Sequence, residues 1–219
     1  MTAPERSPLD SGGAPQAQVE TRPIAAFDFD GTLTVADSFT AFLRWRTTPF
    51  RWLLGLSRLV PAALVYLATR DRGRLKAAIV EVFLFGLPRA TLERQAEAFV
   101  VDRAAHLFRP DALERWSAHR AAGDRLVIVT ASPEEVVAPF ASWLGADALI
   151  GSRLSWSAAN QVGRGLEGSN CRGVEKVRRL QALFGPAVQI ADAYGDTAGD
   201  REMLAFARRG HMRLFTGRP

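Results

Sequence analysis

Cys171 is the only cysteine among 219 residues. A lone thiol excludes an internal disulfide framework and fits a reducing compartment. The opening residues, MTAPERSPLDSGGAPQAQVETRP, lack a basic start that runs into an apolar core, so they do not read as a secretory signal. They also lack any hydrophobic period and are rich in Pro, Gly, Ser and Ala, which leads to the expectation of a disordered leader over residues 1–22. No internal repeat is present, which excludes solenoids and propellers. Outside residues 38–122 there is no interleaving of aromatic and basic residues and no recognition-helix pattern, so nucleic acid is not an expected partner.

Acidic residues are scarce in one stretch. Arg44 to Lys76 holds eight basic residues and a single acid, Asp71, a local excess of +7 in a chain whose net charge is +5. Such a run fits either a solvated helical face or a surface for an anionic partner. A clean apolar run of membrane-spanning length is also missing. WLLGLSRLVPAALVYLA (52–68) contains Arg58 and Pro61 and falls short of the roughly 20 residues a span needs. Arg51, Gly55 and Arg58, at i, i+4 and i+7, draw one narrow polar stripe along it. A buried helix, an interfacial helix and a spanning segment all remain compatible with that pattern.

What is present is an alternation of element types. Ile24–Phe29 reads as a buried strand, residues 38–122 almost wholly as helix, and 124–132 as a second strand leading into a helix over 134–144. A strand and hairpin follow over 146–156, then a helix at 174–185, a strand at 187–196, a helix at 197–209 and a short strand at 211–215. Strands alternating with helices imply an α/β fold: a Rossmann-like, mostly parallel sheet flanked by helices. The helical block between the first two strands reads as an inserted cap. The expected division is a core over 23–37 and 123–219 and a cap over 38–122, whose last helix belongs partly to the core.

The chemistry starts at DFDGT. Asp28 and Asp30 lie two apart at the end of the first strand, so both can face the crevice beyond its C-terminal end. Two carboxylates this close repel unless a cation sits between them, and a hard, oxygen-seeking ion such as Mg²⁺ suits them. Gly31 then lets the backbone turn away. A bare DxD is equally compatible with a solvated turn. Thr130 ends the second strand where a hydroxyl and nearby N–H groups can grip a phosphoryl oxygen, though it also fits a helix cap. Lys176 opens a helix, a place usually solvated. Asp196 and Asp200, four apart in YGDTAGD, form a second acidic pair.

The order of these motifs resembles the haloacid dehalogenase-like (HAD) superfamily of phosphohydrolases, over nearly the whole chain from Phe27 to Asp200. The resemblance implies a Mg²⁺-dependent phosphomonoesterase. Asp28 would be the nucleophile that becomes an aspartyl-phosphate, and Asp30 the general acid and then base. Thr130 would orient the phosphoryl group, and Lys176 would neutralise phosphate charge. Mg²⁺ would be held by Asp28, the Asp30 carbonyl, Asp196 and Asp200. Gly31, Ala131, Ser132 and Asp37 would line the substrate site, Asp37 being equally readable as a helix N-cap.

A helical cap between the first and second motifs looks like the phosphoserine-phosphatase-like (class IB) branch. Within it, the layout ADSFTAFLRW, apolar cap and NCRGVEKVRRL looks like the phosphatidylglycerophosphatase C group. That likeness implies an anionic phospholipid phosphomonoester as substrate and a cytoplasmic protein peripheral to the inner face of the membrane. The alternatives are a soluble small-metabolite phosphatase acting on an ester like phosphoserine, and a non-catalytic membrane- or nucleic-acid-binding module.

Overall fold

The computed structural model describes residues 22–219. The leader expected over 1–22 falls outside the described residues except for Arg22. That side chain belongs to the fold: its guanidinium donates to the carbonyls of Gly123 and Asp124 at 2.7 and 2.8 Å.

Strands β1 (Ile24–Phe27), β2 (Arg125–Pro133), β3 (Ala148–Trp156), β4 (Val162–Glu167), β5 (Ile190–Gly195) and β6 (Arg209–Met212) form one sheet in the order β4–β3–β2–β1–β5–β6. Every neighbouring pair is parallel except β3–β4, a hairpin. The central strands are apolar throughout because helices cover both faces. Period-2 alternation divides them between two cores. Ala25, Phe27, Leu126 and Ile128 join one cluster, while Ile24, Ala26, Val127 and Val129 join the other.

Helices α1 (Ser38–Arg46), α2 (Pro49–Arg58), α3 (Val60–Thr69), α4 (Arg72–Leu84), α5 (Arg89–Leu107) and α6 (Pro110–Ala121) all lie between β1 and β2 in sequence. α7 (Glu134–Leu144), α8 (Val174–Phe184) and α9 (Arg201–Phe206) follow. α5 packs on α7, α6 on β2, and α4 on β4, while α2 and α3 lean on α4. Aromatic rings dominate the first core. Phe27 stacks on Tyr194 at 4.4 Å between ring centroids and meets Trp116 at 5.0 Å. The second core is smaller and lies under α8 and α9, with Leu180, Ile190 and Met203 fully buried.

Three local readings need correction. The apolar run at 49–68 is two helices bent by 48° around Leu59. Pro61 has no N–H to give to the carbonyl four residues back, so one continuous helix cannot form. The helix expected over 197–209 is only Arg201–Phe206, because the Asp200 carboxylate gathers the Thr197 N–H and hydroxyl into a tight loop ahead of it. Its far end turns extended at Ala207, and the last strand is Arg209–Met212 instead of 211–215.

Candidate active site

β1 lies between β2 and β5, where the chain switches sides of the sheet, and such points open a crevice beyond the strands' C-terminal ends. Asp28 stands there, its N–H bonded to the Tyr194 carbonyl of β5 at 2.9 Å. The chain then coils through a tight turn, Phe29–Leu33. Asp28 and Asp30 are therefore not two residues of one strand, and their carboxylates take different partners. Gly31 permits this turn with φ at +84°, and a Cβ there would run into the Asp196 carboxylate.

Lys176 crosses the crevice. Its ammonium donates to Asp28 Oδ1 at 2.5 Å, to Asp200 Oδ1 at 2.7 Å and to the Val129 carbonyl at 2.6 Å. The side chain is 1% exposed, so the solvated surface lysine usual at a helix start is excluded. Burial alone would lower its pKa, but the charges of Asp28 and Asp200 outweigh burial and drive it upward. Burial pushes Asp28 up to about 7 against the pull of Lys176. Asp200 stays below the ordinary carboxylate range: burial opposes ionisation, yet the Lys176 ammonium and the Thr197 donors prevail. Asp196 is raised by burial and by the charge of Asp200.

Asp28, Asp196 and Asp200 each offer a carboxylate oxygen, all within 4.8 Å of one another. One ammonium faces three carboxylates, which leaves net negative charge among hard oxygen donors. That donor set fits a hard divalent cation. The Asp30 carboxylate is not part of the trio. It accepts from the Ser38 N–H at 2.7 Å, the Ser132 hydroxyl at 2.5 Å and the Thr130 hydroxyl at 3.3 Å. Burial and the neighbouring Asp37 raise its pKa, favouring the protonated acid.

Thr130 and Ser132 are fully buried and their hydroxyls hold Asp30. The sequence reading had Thr130 reach for the phosphoryl group and Ser132 line the substrate site. Asp37 does cap α1, accepting from the Thr40 N–H at 2.6 Å, and also borders the cavity, so its two readings coexist.

A cavity of about 430 Å³ opens over the trio, bordered by Asp28, Asp30, Gly31, Ala131, Lys176, Asp196 and Asp200. Its far wall is built by α4: Arg72, Leu75, Lys76 and Ile79, with Phe39 of α1. Lys76 Nζ donates to the Ala131 carbonyl at 2.6 Å, and burial lowers its pKa. Arg172 and Asn170 close one side. The sequence reading missed these four polar residues. Arg72 and Lys76 were visible only as part of a basic run, and Asn170 and Arg172 only as letters of NCRGVEK. A larger recess of about 670 Å³ at the other end of the sheet, beside Arg125 and Phe184, carries no carboxylate.

The fold and site together define a hydrolase: the chain matches the haloacid dehalogenase-like hydrolase family over residues 25–205 and belongs to it. Among curated relatives it is 54% identical to Protein CicA of Caulobacter vibrioides over 196 residues, covering 90% of this chain and 88% of that one. In solved structures the same architecture recurs in a Bordetella pertussis Tohama I protein of unknown function (TM-score 0.67, 24% identity, 84% of this chain and 86% of that one). It recurs again in a substrate-bound phosphoserine phosphatase (TM-score 0.58, 18% identity, 86% and 84%).

Proposed function

We propose that this hydrolase is a Mg²⁺-dependent phosphomonoesterase that works through a phosphorylated Asp28. The observation that carries the reading is the Lys176 bridge between Asp28 and Asp200, with Asp196 beside them under a cavity. Asp28 Oδ attacks phosphorus in line; the new O–P bond forms as the bond to the leaving oxygen breaks. Asp30, whose pKa burial raises and whose carboxyl is held by Ser132 and Thr130, passes its proton to that oxygen. The resulting carboxylate then takes a proton from water, whose oxygen attacks phosphorus and frees Asp28. Lys176 pulls Asp28 toward its ionised form against burial and offsets phosphoryl charge. When bound by Asp28, Asp196, Asp200 and the Asp30 carbonyl, Mg²⁺ would supply further charge neutralisation to the phosphoryl oxygens. The cap, 38–122, supplies the far wall of the cavity through α1 and α4.

The substrate proposed is an anionic phospholipid monoester such as phosphatidylglycerophosphate, met at the inner face of the membrane by a cytoplasmic protein. In support, the wall over the trio mixes Arg72, Lys76 and Arg172 with Phe39, Leu75 and Ile79, which suits a charged head group on an apolar stem. The second reading is a water-soluble ester such as phosphoserine, favoured by the fold shared with phosphoserine phosphatase. A non-catalytic binding module is disfavoured, because it would have no need of a buried Lys–Asp pair beside two more carboxylates.

The test is a phosphatase panel. An aryl phosphate should be hydrolysed with Mg²⁺, lost with chelator, and lost in Asp28→Asn. Lipid and soluble monoesters compared side by side then decide between the two substrates. No hydrolysis of any monoester would sink the reading.

A further inference from the structure

α2 and α3 present an apolar face that the rest of the described chain does not cover. Phe50 is 76% exposed, Leu53 65%, Leu64 62% and Leu67 60%, and α3 buries no residue at all. This is not a loose appendage. Gly55 lets α2 close onto Phe83 of α4, where any Cβ would collide with the ring, and Trp52 packs on the same ring at 5.1 Å. Exposed apolar residues concentrated on two adjoining helices and held in place this way mark a contact surface.

We infer that the α2–α3 face docks on an anionic lipid bilayer, lying in its interface without crossing it. Each helix has ten residues, about 15 Å of length, and the 48° bend keeps the two from acting as one straight span. The charge around the face selects the partner. Arg51, Arg58, Arg70, Arg72 and Arg74 are exposed on and beside these helices. The one acid nearby, Asp71, is occupied in capping α4 through the Arg74 N–H at 3.0 Å. A second copy of the chain docking face to face would set guanidinium against guanidinium. Anionic head groups instead pair with them while the acyl boundary takes Phe50, Leu53, Leu64 and Leu67.

The geometry also gives the docking a purpose. α4 supports α2 at Phe83, packs along α3, and turns Leu75, Lys76 and Ile79 into the cavity. Seating the face on a membrane therefore brings the cavity wall close to head-group level. The inference rests on the lipid-phosphatase reading for that purpose, but its test does not depend on catalysis.

The experiment is co-sedimentation of the full chain with phosphatidylcholine vesicles, with and without phosphatidylglycerol. The wild type should pellet with the anionic vesicles and release as salt rises to about 0.5 M. Leu53→Asp/Leu64→Asp should stay in the supernatant, and Arg51→Glu/Arg58→Glu should lose about tenfold or more in binding. Arg103→Glu, at an exposed position of α5 away from these helices in sequence, should bind as wild type does. All variants should keep wild-type aryl-phosphate hydrolysis and melting temperature, which shows that they fold. A wild type that stays in the supernatant overturns the inference, as do aspartate variants that still pellet. A wild-type dimer that the aspartate variants dissolve, without vesicle binding, also overturns it. Vesicle binding with hydrolysis of soluble esters only would leave the docking intact and remove the lipid substrate. Hydrolysis of detergent-dispersed lipid without vesicle binding would do the reverse.

Discussion

Lys176 and Asp28 are 148 positions apart in the chain and 2.5 Å apart in the fold, both buried, with Asp200 completing the contact on the other side of the ammonium. The pair links the first strand to the helix after the hairpin, so the site and the packing of the sheet depend on each other.

Replacing that ammonium tests the link. Lys176→Met leaves Asp28 and Asp200 buried without their partner, and breaking such a buried pair costs roughly 3–5 kcal/mol. Urea denaturation should register a loss of that order, together with loss of phosphatase activity. Added Mg²⁺ should return part of the stability, because it is another cation for the same carboxylates. A fully stable variant would mean that the pair contributes nothing.

In the proposed mechanism metal and proton compete at Asp28. Its pKa in the folded, metal-free protein is raised to about 7, well above the ordinary carboxylate value. The folded state therefore holds this proton more tightly than the unfolded state does. The stability it adds is present at low pH and is lost as pH rises through about 7. In the proposed mechanism Mg²⁺ binds the ionised form, so the rise in melting temperature it produces should be larger at pH 8 than at pH 5.5. Saturation at about a hundred times the dissociation constant corresponds to about 2.7 kcal/mol. Thermal scans at the two pH values, with and without Mg²⁺, check this; a pH-independent shift would contradict it.

Gly31 carries a steric prediction. Gly31→Ala must leave φ at +84° and also push the Asp196 carboxylate aside. Displacing the proposed metal ligand Asp196 by about 1 Å is expected to lower activity about a hundredfold. The readout is kcat/KM for an aryl phosphate alongside the melting temperature. Unchanged kinetics would show that the close approach is not required.

Remote from the site, Asp192 is held to about 2 by hydrogen bonds from Arg209, at 2.8 and 2.6 Å, and from His211. A depressed carboxylate stabilises the fold above its ordinary value, and the contribution disappears as pH falls through about 2. Asp192→Asn should melt below the wild type at pH 7, with the gap closing as pH approaches 2. A gap that widens on acidification would refute the assignment.

The sheet and the acidic residues were legible in the sequence for the same reason. Apolar runs such as IAAF and LVIV have no polar face to confuse the pattern, and Asp28 follows directly on the first of them. A like-charged pair after a buried strand raises the question of a cation, yet only Asp28 joins the trio that fits one, while the turn carries the Asp30 carboxylate to Thr130 and Ser132. Lys76 could not be found that way. Only the packing of α4 over the crevice brings it to the Ala131 carbonyl, and in sequence it is one basic residue among eight. The same limit hid the grip of Thr130 and Ser132 on Asp30, which depends on the tight turn after Asp28. Pro61 did signal the break between α2 and α3, but hydrophobicity alone read through it. Whether that apolar run would be covered depended on its neighbours, and the sequence left both outcomes open.

The proposed mechanism turns on a covalent bond to one oxygen of Asp28. Acid quench during aryl-phosphate turnover, followed by weighing of the peptides, tests it directly. The account predicts one added phosphoryl group on the peptide containing Asp28, and neither adduct nor turnover in Asp28→Asn. A phosphoryl group on a different residue, or undiminished turnover by the asparagine variant, would contradict it.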